Sequence, residues 1–240
     1  MNHTIETMLG HRSIRKFTDA PIPQSQLEII LDCARSASSS SFLQCVSIVR
    51  VTDQTMRDKL AEYAGGQPYV ASAAEFLVFC ADFNRHLQIH PTAQVGFTEQ
   101  TLIGAVDAGL MAQNALVAAE SLGLGGVYIG GLRNNPDKVT ELLALPKHVI
   151  LLFGLCLGYP DQAPEMKPRL PRALVVHENT YQPLDHALLA SYDQHVREYY
   201  QSRTGGTKET SWSEQITATM DKEARPFMKD FLHRQGFSVK

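Results

Sequence analysis

The stretch that most limits how this chain can fold is its longest apolar run, TLIGAVDAGLMAQNALVAAESLG at residues 101–123. Its length would allow a helix to cross a bilayer. However, Asp107, Gln113, Asn114 and Glu120 interrupt the run, and such polar side chains are costly in lipid. A helix that is apolar around most of its circumference is otherwise buried in a core or at a subunit interface. We therefore predict a buried helix here.

The composition is typical of a soluble protein in a reducing compartment. Hydrophobic residues make up 44% of the 240, enough for a sizeable core. The formal net charge of -3 argues against general nucleic-acid binding, which needs a basic excess. The four cysteines are far apart, form no CxxC pair, and follow no secretory leader. We expect a cytoplasmic protein that binds neither nucleic acid nor membrane.

The pattern of apolar residues and breakers predicts both helices and strands. Helices are predicted over 4–9, over about 24–35, between the first two strands, over 185–203 and over 212–224, with a turn or short helix after Pro226. Gly10 suits a left-handed end for the first of these helices. The predicted strands are 46–53, 74–82, 125–132, 148–160 and, with a weaker pattern, 173–181. Several strands are continuous apolar runs, which is typical of a sheet covered on both faces. We predict one domain over residues 1–240, with a C-terminal helical excursion from about 184 and a mobile loop at about 203–211.

Two short basic clusters could bind an anion. The segment 11–17, HRSIRKF, offers planar guanidinium forks, a hydroxyl and further donors, on His11, Arg12, Ser13, Arg15 and Lys16. These residues could hold a phosphate dianion, or they could be solvated charges after a helix. Lys167 and Arg169 form a second pair in the proline-rich segment KPRLP. This pair could flank the same anion or lie in a solvated loop.

The glycine-rich segment SLGLGGVYIGGLRN does not fit a nucleotide-binding motif. A Rossmann fingerprint requires strand, glycines and then helix, whereas the glycines at 123–126 follow a helix and precede a strand. A helix end leading into a strand explains them. It does not explain Gly130 and Gly131, which would leave a strand end open to a flat ligand. The serines at 38–41 could bind a polar ring, or serve in turns and caps.

The sequence offers no candidate acid, base or covalent nucleophile. His86 and His90 have the i, i+4 spacing of zinc ligands, but the HExxH glutamate and a third ligand are missing, so we predict no metal. The cysteines lie in apolar or helical contexts that favour burial. The remaining features are basic clusters, serines and glycine-rich strand ends. They suit a protein that binds a cofactor and lets the cofactor carry out the reaction.

Four segments taken in order closely resemble the FMN-dependent nitroreductase superfamily. They are HRSIRKFTDAPI, ARSASSSSFLQ, ESLGLGGVYIGGLRNN and GYP followed by KPRLP, and the similarity extends over essentially the whole chain. The group that they resemble comprises the NADPH-preferring oxygen-insensitive nitroreductases and flavin reductase P. The resemblance implies an α+β nitroreductase-like fold with a central, mostly antiparallel sheet flanked by helices. It also implies an intertwined homodimer with FMN in each of two clefts at the interface.

The resemblance further implies which residues contact the cofactors. Tightly bound FMN would be held by His11, Arg12, Ser13, Arg15, Ser39, Gln67, Tyr69, Tyr128, Ile129, Gly130, Gly131, Leu132, Lys167 and Arg169. Ser39 and Gln67 would act partly across the dimer, and Lys167 would stabilise negative charge on the reduced cofactor. NADPH would be bound by Arg203, Lys208 and Arg225. Lys208 stands where some members have arginine, so the charge is kept but the bidentate fork is lost.

The implied activity is a two-step transfer of electrons. NADPH gives a hydride to FMN and leaves, and a nitroaromatic or a quinone then takes two electrons. Two alternatives stay open: an NADPH:FMN oxidoreductase that supplies free reduced flavin, and a flavin-binding protein without useful turnover.

Overall fold

An antiparallel sheet of four strands organises most of the chain. In the computed structural model, which describes residues 2–240, the strands are β1 (Val46–Arg50), β2 (Glu75–Asp82), β3 (Gly125–Ile129) and β4 (Val149–Gly158). Their order across the sheet is β1-β2-β4-β3, and each neighbouring pair is antiparallel. The predicted α+β class with a central antiparallel sheet is confirmed. β3 is an edge strand, which leaves its outer side open to another segment.

Ten α-helices accompany the sheet in the described part of the chain. They are α1 (His3–Leu9), α2 (Gln24–Arg35), α3 (Gln54–Tyr63), α4 (Tyr69–Ser72), α5 (Asn84–Ile89), α6 (Thr98–Ser121), α7 (Pro136–Leu142), α8 (His186–Thr204), α9 (Trp212–Met220) and α10 (Met228–Arg234). Their contacts divide the chain into a first unit, residues 2–164 with 225–240, and a second unit, Glu165–Ala224. The prediction of one domain with an excursion from about 184 and a mobile loop at about 203–211 stays a prediction.

Both faces of the sheet are covered, as the apolar strands predict. Every residue of β2 is buried. Phe76 and Val78 join a core that includes residues of α3, α4 and α7, whereas Leu77 and Phe79 join a second core with α2 and α6. Successive side chains of a strand point to opposite faces, so a strand between two cores must be apolar at every position.

The long apolar helix is α6, and it is a core helix of the first unit. By length and composition alone it could cross a membrane. It packs instead on α2 and the sheet through small residues. A Cβ at Gly104 would lie 2.6 Å from the Cβ of Ala81, so the glycine permits close approach to β2. The opposite side of α6 exposes Leu102, Val106 and Leu110, an apolar face that residues 2–240 leave uncovered.

Several local predictions were wrong, including the ends of the first strand, at Arg50 and not at 53, and of α9, at Met220 and not at 224. Gly10 has right-handed angles, φ -83° and ψ 0°, because its N–H continues the helical pattern by donating to the carbonyl of Glu6. The third strand ends at Ile129, and residues 130–134 form a 3-10 turn instead. The predicted strand 173–181 is absent; a 3-10 turn over Arg172–Leu174 is formed, and Val175 and Val176 are exposed. A β-branched run becomes a strand only beside a partner strand.

The second unit is built from α8 and α9 around aromatic side chains. Tyr192, Tyr199 and Tyr200 are buried together with Val196, and Trp212 packs against them. Local signals set the helix boundaries. Asp185 accepts hydrogen bonds from the first N–H groups of α8, and Ser211 forms a capping box with Glu214 at the start of α9.

Candidate cofactor site

The basic segment 11–17 meets the open edge of β3 at Ser13 and Ile14, and its last residues pair with residues 160–161, which follow β4. Ser13 pairs in parallel with Gly126, and the N–H of Ile14 donates to the Gly126 carbonyl at 3.0 Å. A Cβ at Gly125 would lie 2.5 Å from the side chain of Ile14. Gly125 is therefore glycine because Ile14 approaches it closely, which the interpretation as a simple helix end had missed. The pairing fixes the backbone of the segment against the sheet.

The side chain of His11 is anchored to α6. Its Nδ1 lies 2.6 Å from Oε1 of Glu120, and the two side chains are 26% and 11% exposed. Glu120 belongs to the last turn of α6, so the contact joins the start of the basic segment to the end of the core helix. In the sequence, Glu120 stands out only as a polar interruption of an apolar run.

The other cations of the segment have no counter-charge among residues 2–240. The side chains of Arg12, Arg15 and Lys16 are exposed and form no hydrogen bond or ion pair there. Three neighbouring positive charges without carboxylate partners create a positive potential that favours a bound anion. The segment therefore fits the phosphate of a cofactor better than it fits a purely structural role.

Just beyond the other end of β3, Gly131 packs closely against Ala64 and Gln67. A Cβ at Gly131 would lie 2.4 Å from the carbonyl oxygen of Ala64 and 2.4 Å from Nε2 of Gln67. Gln67 donates to that same carbonyl at 2.7 Å, and the hydroxyl of Tyr69 donates to Gln67 at 2.6 Å. Of the predicted contacts, the structure thus brings Gln67, Tyr69 and Gly131 together.

Arg225 lies at this strand end as well. Its Nη2 donates to the Gly130 carbonyl at 3.3 Å, and its Nε donates to Asn134 at 3.0 Å. Burial, and secondarily the positive charge of Arg225, lowers the pKa of the neighbouring Arg133 guanidinium. Arg225 therefore belongs to the first unit, whereas Arg203 and Lys208 belong to the second.

Three further predicted residues, Tyr128, Ile129 and Leu132, lie in β3 and the following turn and differ in the exposure of their side chains. Tyr128 is partly exposed, and its hydroxyl donates to Gln113 at 3.2 Å. Burial, and then the charge of Glu120, raises the pKa of Tyr128, so the phenol is neutral over the ordinary pH range. The side chains of Ile129 and Leu132 are fully buried in the core, so only their backbone can meet a ligand.

Ser39 is held at a different place. Its hydroxyl donates to Oδ2 of Asp107 at 2.9 Å and accepts from the N–H of Gln44 at 2.7 Å. Asp107 is 3% exposed. Along α6, Asp107 and the Glu120 that anchors His11 are about 20 Å apart. Within one chain, Ser39 and the anchored His11 are therefore separated along the length of this helix.

In the second unit, three of the predicted cations lie against the neighbouring side chains of Tyr199 and Tyr200. The Nζ atoms of Lys167 and Lys208 lie 5.7 Å and 4.2 Å from the ring centre of Tyr200. Arg203 donates to the hydroxyl of Tyr199 at 2.7 Å. Burial alone would raise the pKa of Tyr200, but hydrogen bonding to Lys167 and the three positive charges outweigh it and lower that pKa.

The remaining predicted cation of the second unit, Arg169, lies near Tyr192. Burial raises the pKa of the Tyr192 phenol, and the positive charge of Arg169 partly opposes that shift. The hydroxyl of Tyr192 donates to the Pro168 carbonyl at 3.1 Å, which ties the KPRLP segment to α8. Arg169 itself is exposed.

The described residues contain no cluster suited to a metal or a reactive thiol. Residues 2–240 hold no group of three or more His, Cys, Asp or Glu side chains that could bind a metal ion. His86 forms a hydrogen bond to the Leu43 carbonyl. All four cysteines are free. Burial raises the pKa of Cys80 to about 12, and burial together with the charge of Asp107 raises that of Cys45 to about 12.

Comparison with known proteins decides the family. The model of the nitroreductase family matches residues 8–159, and that of the nitroreductase family C-terminal domain matches residues 167–240. This chain is a member of the nitroreductase family. The boundary between the two matches falls near residue 165, where the second unit of this nitroreductase begins.

Relatives of this nitroreductase are similar over their whole length. The oxygen-insensitive NADPH nitroreductase of Salmonella typhimurium is 61% identical over all of both chains, and the NADPH-flavin oxidoreductase of Vibrio harveyi is 58% identical over 99% of each. Among solved structures, nitroreductase A of Vibrio parahaemolyticus superposes with a TM-score of 0.95 at 57% identity, over 100% of each chain. The NADPH:FMN oxidoreductase of Vibrio harveyi complexed with NAD+ gives 0.94 at 55%, with the same coverage. These full-length matches confirm the predicted nitroreductase-like fold.

Proposed function

We propose that this nitroreductase is an FMN-dependent oxidoreductase that takes a hydride from NADPH and reduces nitroaromatic and quinone compounds. The observation that carries the proposal is the group of cations, Arg12, Arg15 and Lys16, whose side chains have no partner among residues 2–240 and which lie on the segment that pairs with β3 at Gly126. Relatives named NADPH nitroreductase, NADPH-flavin oxidoreductase and FMN reductase support the same cofactors.

The geometry of β3 fits a phosphorylated flavin. Five strand residues span roughly 15 Å, which suits an elongated ligand with an anionic tail and a flat ring. We assign the tail to His11, Arg12, Ser13 and Arg15, and the ring to the backbone at 128–132. Bound FMN would supply the redox chemistry, accepting a hydride and releasing two electrons. Gln67 and Tyr69 would line the ring end.

The second unit supplies the remaining assigned residues. On the strength of the family resemblance, we assign Lys167 and Arg169 to the cofactor as well. An ammonium group near a site where negative charge develops stabilises that charge electrostatically, and this is the role proposed for Lys167. Arg203 and Lys208 are assigned to the 2′-phosphate of NADPH, and the family resemblance assigns Arg225 to NADPH as well.

The proposed nucleotide preference can be tested by removing one charge. Arg203→Ala is expected to raise the KM for NADPH about tenfold and leave the KM for NADH within about twofold, because only NADPH carries the phosphate. Arg197→Ala is the matched control: Arg197 lies on the same helix and is paired with Glu214, so both KM values should be unchanged. Steady-state kinetics with each nucleotide measures this. An equal rise for NADPH and NADH would reject the assignment.

A homodimer is part of the proposal. The exposed face of Leu102, Val106 and Leu110 on α6 needs a cover, as do Val175 and Val176. Within one chain, Ser39 is held on Asp107 and is separated from His11 along α6. A second copy would bring its own Ser39 to the site that contains His11. The four free cysteines fit a reducing, cytoplasmic setting.

One experiment separates the proposed activity from its alternatives. The protein, purified with FMN and kept free of oxygen, should be yellow, should be bleached by NADPH and should regain colour when nitrofurazone is added. Nitrofurazone and excess FMN are compared as acceptors, because preference for free FMN would instead support a supplier of reduced flavin. A preparation that stays yellow with NADPH would be a flavin-binding protein. One that cannot take up FMN would contradict the proposal entirely.

A further inference from the structure

Glu120 occupies a costly position. It lies in the last turn of α6, where the helix dipole disfavours negative charge. Its side chain is 11% exposed, and its second oxygen, Oε2, is buried without a hydrogen-bond partner among residues 2–240. Burying a carboxylate with one oxygen unsatisfied destabilises a fold. The hydrogen bond to His11 is the one side-chain hydrogen bond that Glu120 forms among residues 2–240.

The contact that Glu120 makes orients one imidazole ring. With Glu120 ionised, its carboxylate can only accept hydrogen bonds, and Nδ1 of His11 then donates across the 2.6 Å contact. The backbone two residues further on is fixed by the pairing of Ser13 with Gly126. With the backbone and Nδ1 both fixed, the direction of Nε2 is fixed too, because the two ring nitrogens diverge. Nε2 has no hydrogen-bond partner in the described residues.

We propose that Glu120 is a positioning residue for the cofactor: it holds the His11 ring so that the unprotonated Nε2 accepts a hydrogen bond from a ribityl hydroxyl of FMN. The inference rests on the proposed function. A carboxylate that orients a ligand-binding histidine through its other nitrogen is a general device in binding sites. Glu120 itself does not contact the cofactor and acts only through His11.

The test measures FMN affinity of the apoprotein, not turnover. Titration followed by flavin fluorescence is expected to show about tenfold weaker binding for Glu120→Ala, the scale of one lost hydrogen bond. In a His11→Ala background the same change should matter less than twofold, because nothing is left to position. Glu120→Gln keeps an acceptor oxygen and should bind within about threefold of wild type. Glu120→Asp keeps the charge, but its shorter side chain moves the carboxylate away from Nδ1 of His11. Its FMN affinity should therefore resemble that of Glu120→Ala.

A second readout follows the ring directly. Nitrogen-15 spectra of the apoprotein's histidines, with the His11 signal identified by its loss in His11→Ala, should show Nδ1 protonated in wild type. That tautomer preference should weaken in Glu120→Asp. Circular dichroism melts establish that each variant is folded.

The outcomes are distinguishable. If wild type binds no FMN, the proposed function fails. If wild type binds FMN but Glu120→Ala weakens binding equally with and without His11, or not at all, only the positioning role fails. Tight binding by Glu120→Asp with weak binding by Glu120→Gln would show that charge rather than geometry matters, which would also overturn the inference.

Discussion

Replacement of Gly131 by alanine is expected to destabilise the first unit by about 2–3 kcal/mol, the usual cost of overpacking. The added Cβ would lie 2.4 Å from the carbonyl oxygen of Ala64. That oxygen is backbone and belongs to a buried residue, so it cannot swing aside as a flexible side chain would. For a chain of this size the melting temperature should fall by roughly 5–10 °C, measured by calorimetry of the apoprotein.

The same substitution should weaken FMN binding about tenfold. The new methyl group would also lie 2.4 Å from Nε2 of Gln67. That Nε2 donates to the Ala64 carbonyl, and Oε1 of the same side chain accepts from the Tyr69 hydroxyl. Moving Gln67 breaks both hydrogen bonds and displaces the backbone assigned to the flavin ring. FMN titration of the folded variant below its melting temperature measures the loss.

Gly130→Ala is the matched control. A Cβ at Gly130 would lie 3.4 Å from the end of the Arg133 side chain, an ordinary contact distance. The neighbouring glycine should therefore tolerate alanine with a change in melting temperature below about 2 °C. If the two variants melted together, the close approach of Gly131 to Ala64 would not govern this strand end.

Sequence patterns predicted the elements whose burial is local and repetitive. The helix at 24–35 was predicted residue for residue, because apolar spacing and Pro23 define its face and its start. β2 was readable because both of its faces are buried. The run 173–181 was misread because a strand needs a neighbour, and composition does not show where that neighbour is.

The candidate site was predictable in its charges but not in its contacts. The cations of HRSIRKF are visible in the sequence, and the family resemblance gave them a ligand. The anchor of His11 was not visible: Glu120 is 109 residues away and lies inside an apolar run. The separation of Ser39 from His11 also follows only from where each meets α6. Long-range pairings of this kind leave no local pattern in one sequence.

The largest loss of cofactor is expected from Arg12→Ala combined with Arg15→Ala. Both guanidinium groups are exposed and unpaired with any described residue, so removing them should leave the fold and the melting temperature of the apoprotein unchanged. Each charge-assisted hydrogen bond to a phosphate is among the stronger protein contacts. Together their loss should weaken FMN binding about 100-fold, measured by titration of the apoprotein at low salt.

Lys16→Ala tests whether position or total charge decides that loss. Lys16 is exposed, is adjacent to Arg15 and also lacks a described partner, but it was not assigned to the cofactor. Its removal should weaken binding less than about threefold at low salt, and that small loss should vanish at high salt because distant exposed charges are screened. The loss in the double arginine variant should persist at high salt, since direct contacts to phosphate are short-ranged. Equal losses per charge removed at all three positions would mean that the segment attracts FMN by its field alone, without the specific phosphate contacts proposed for Arg12 and Arg15.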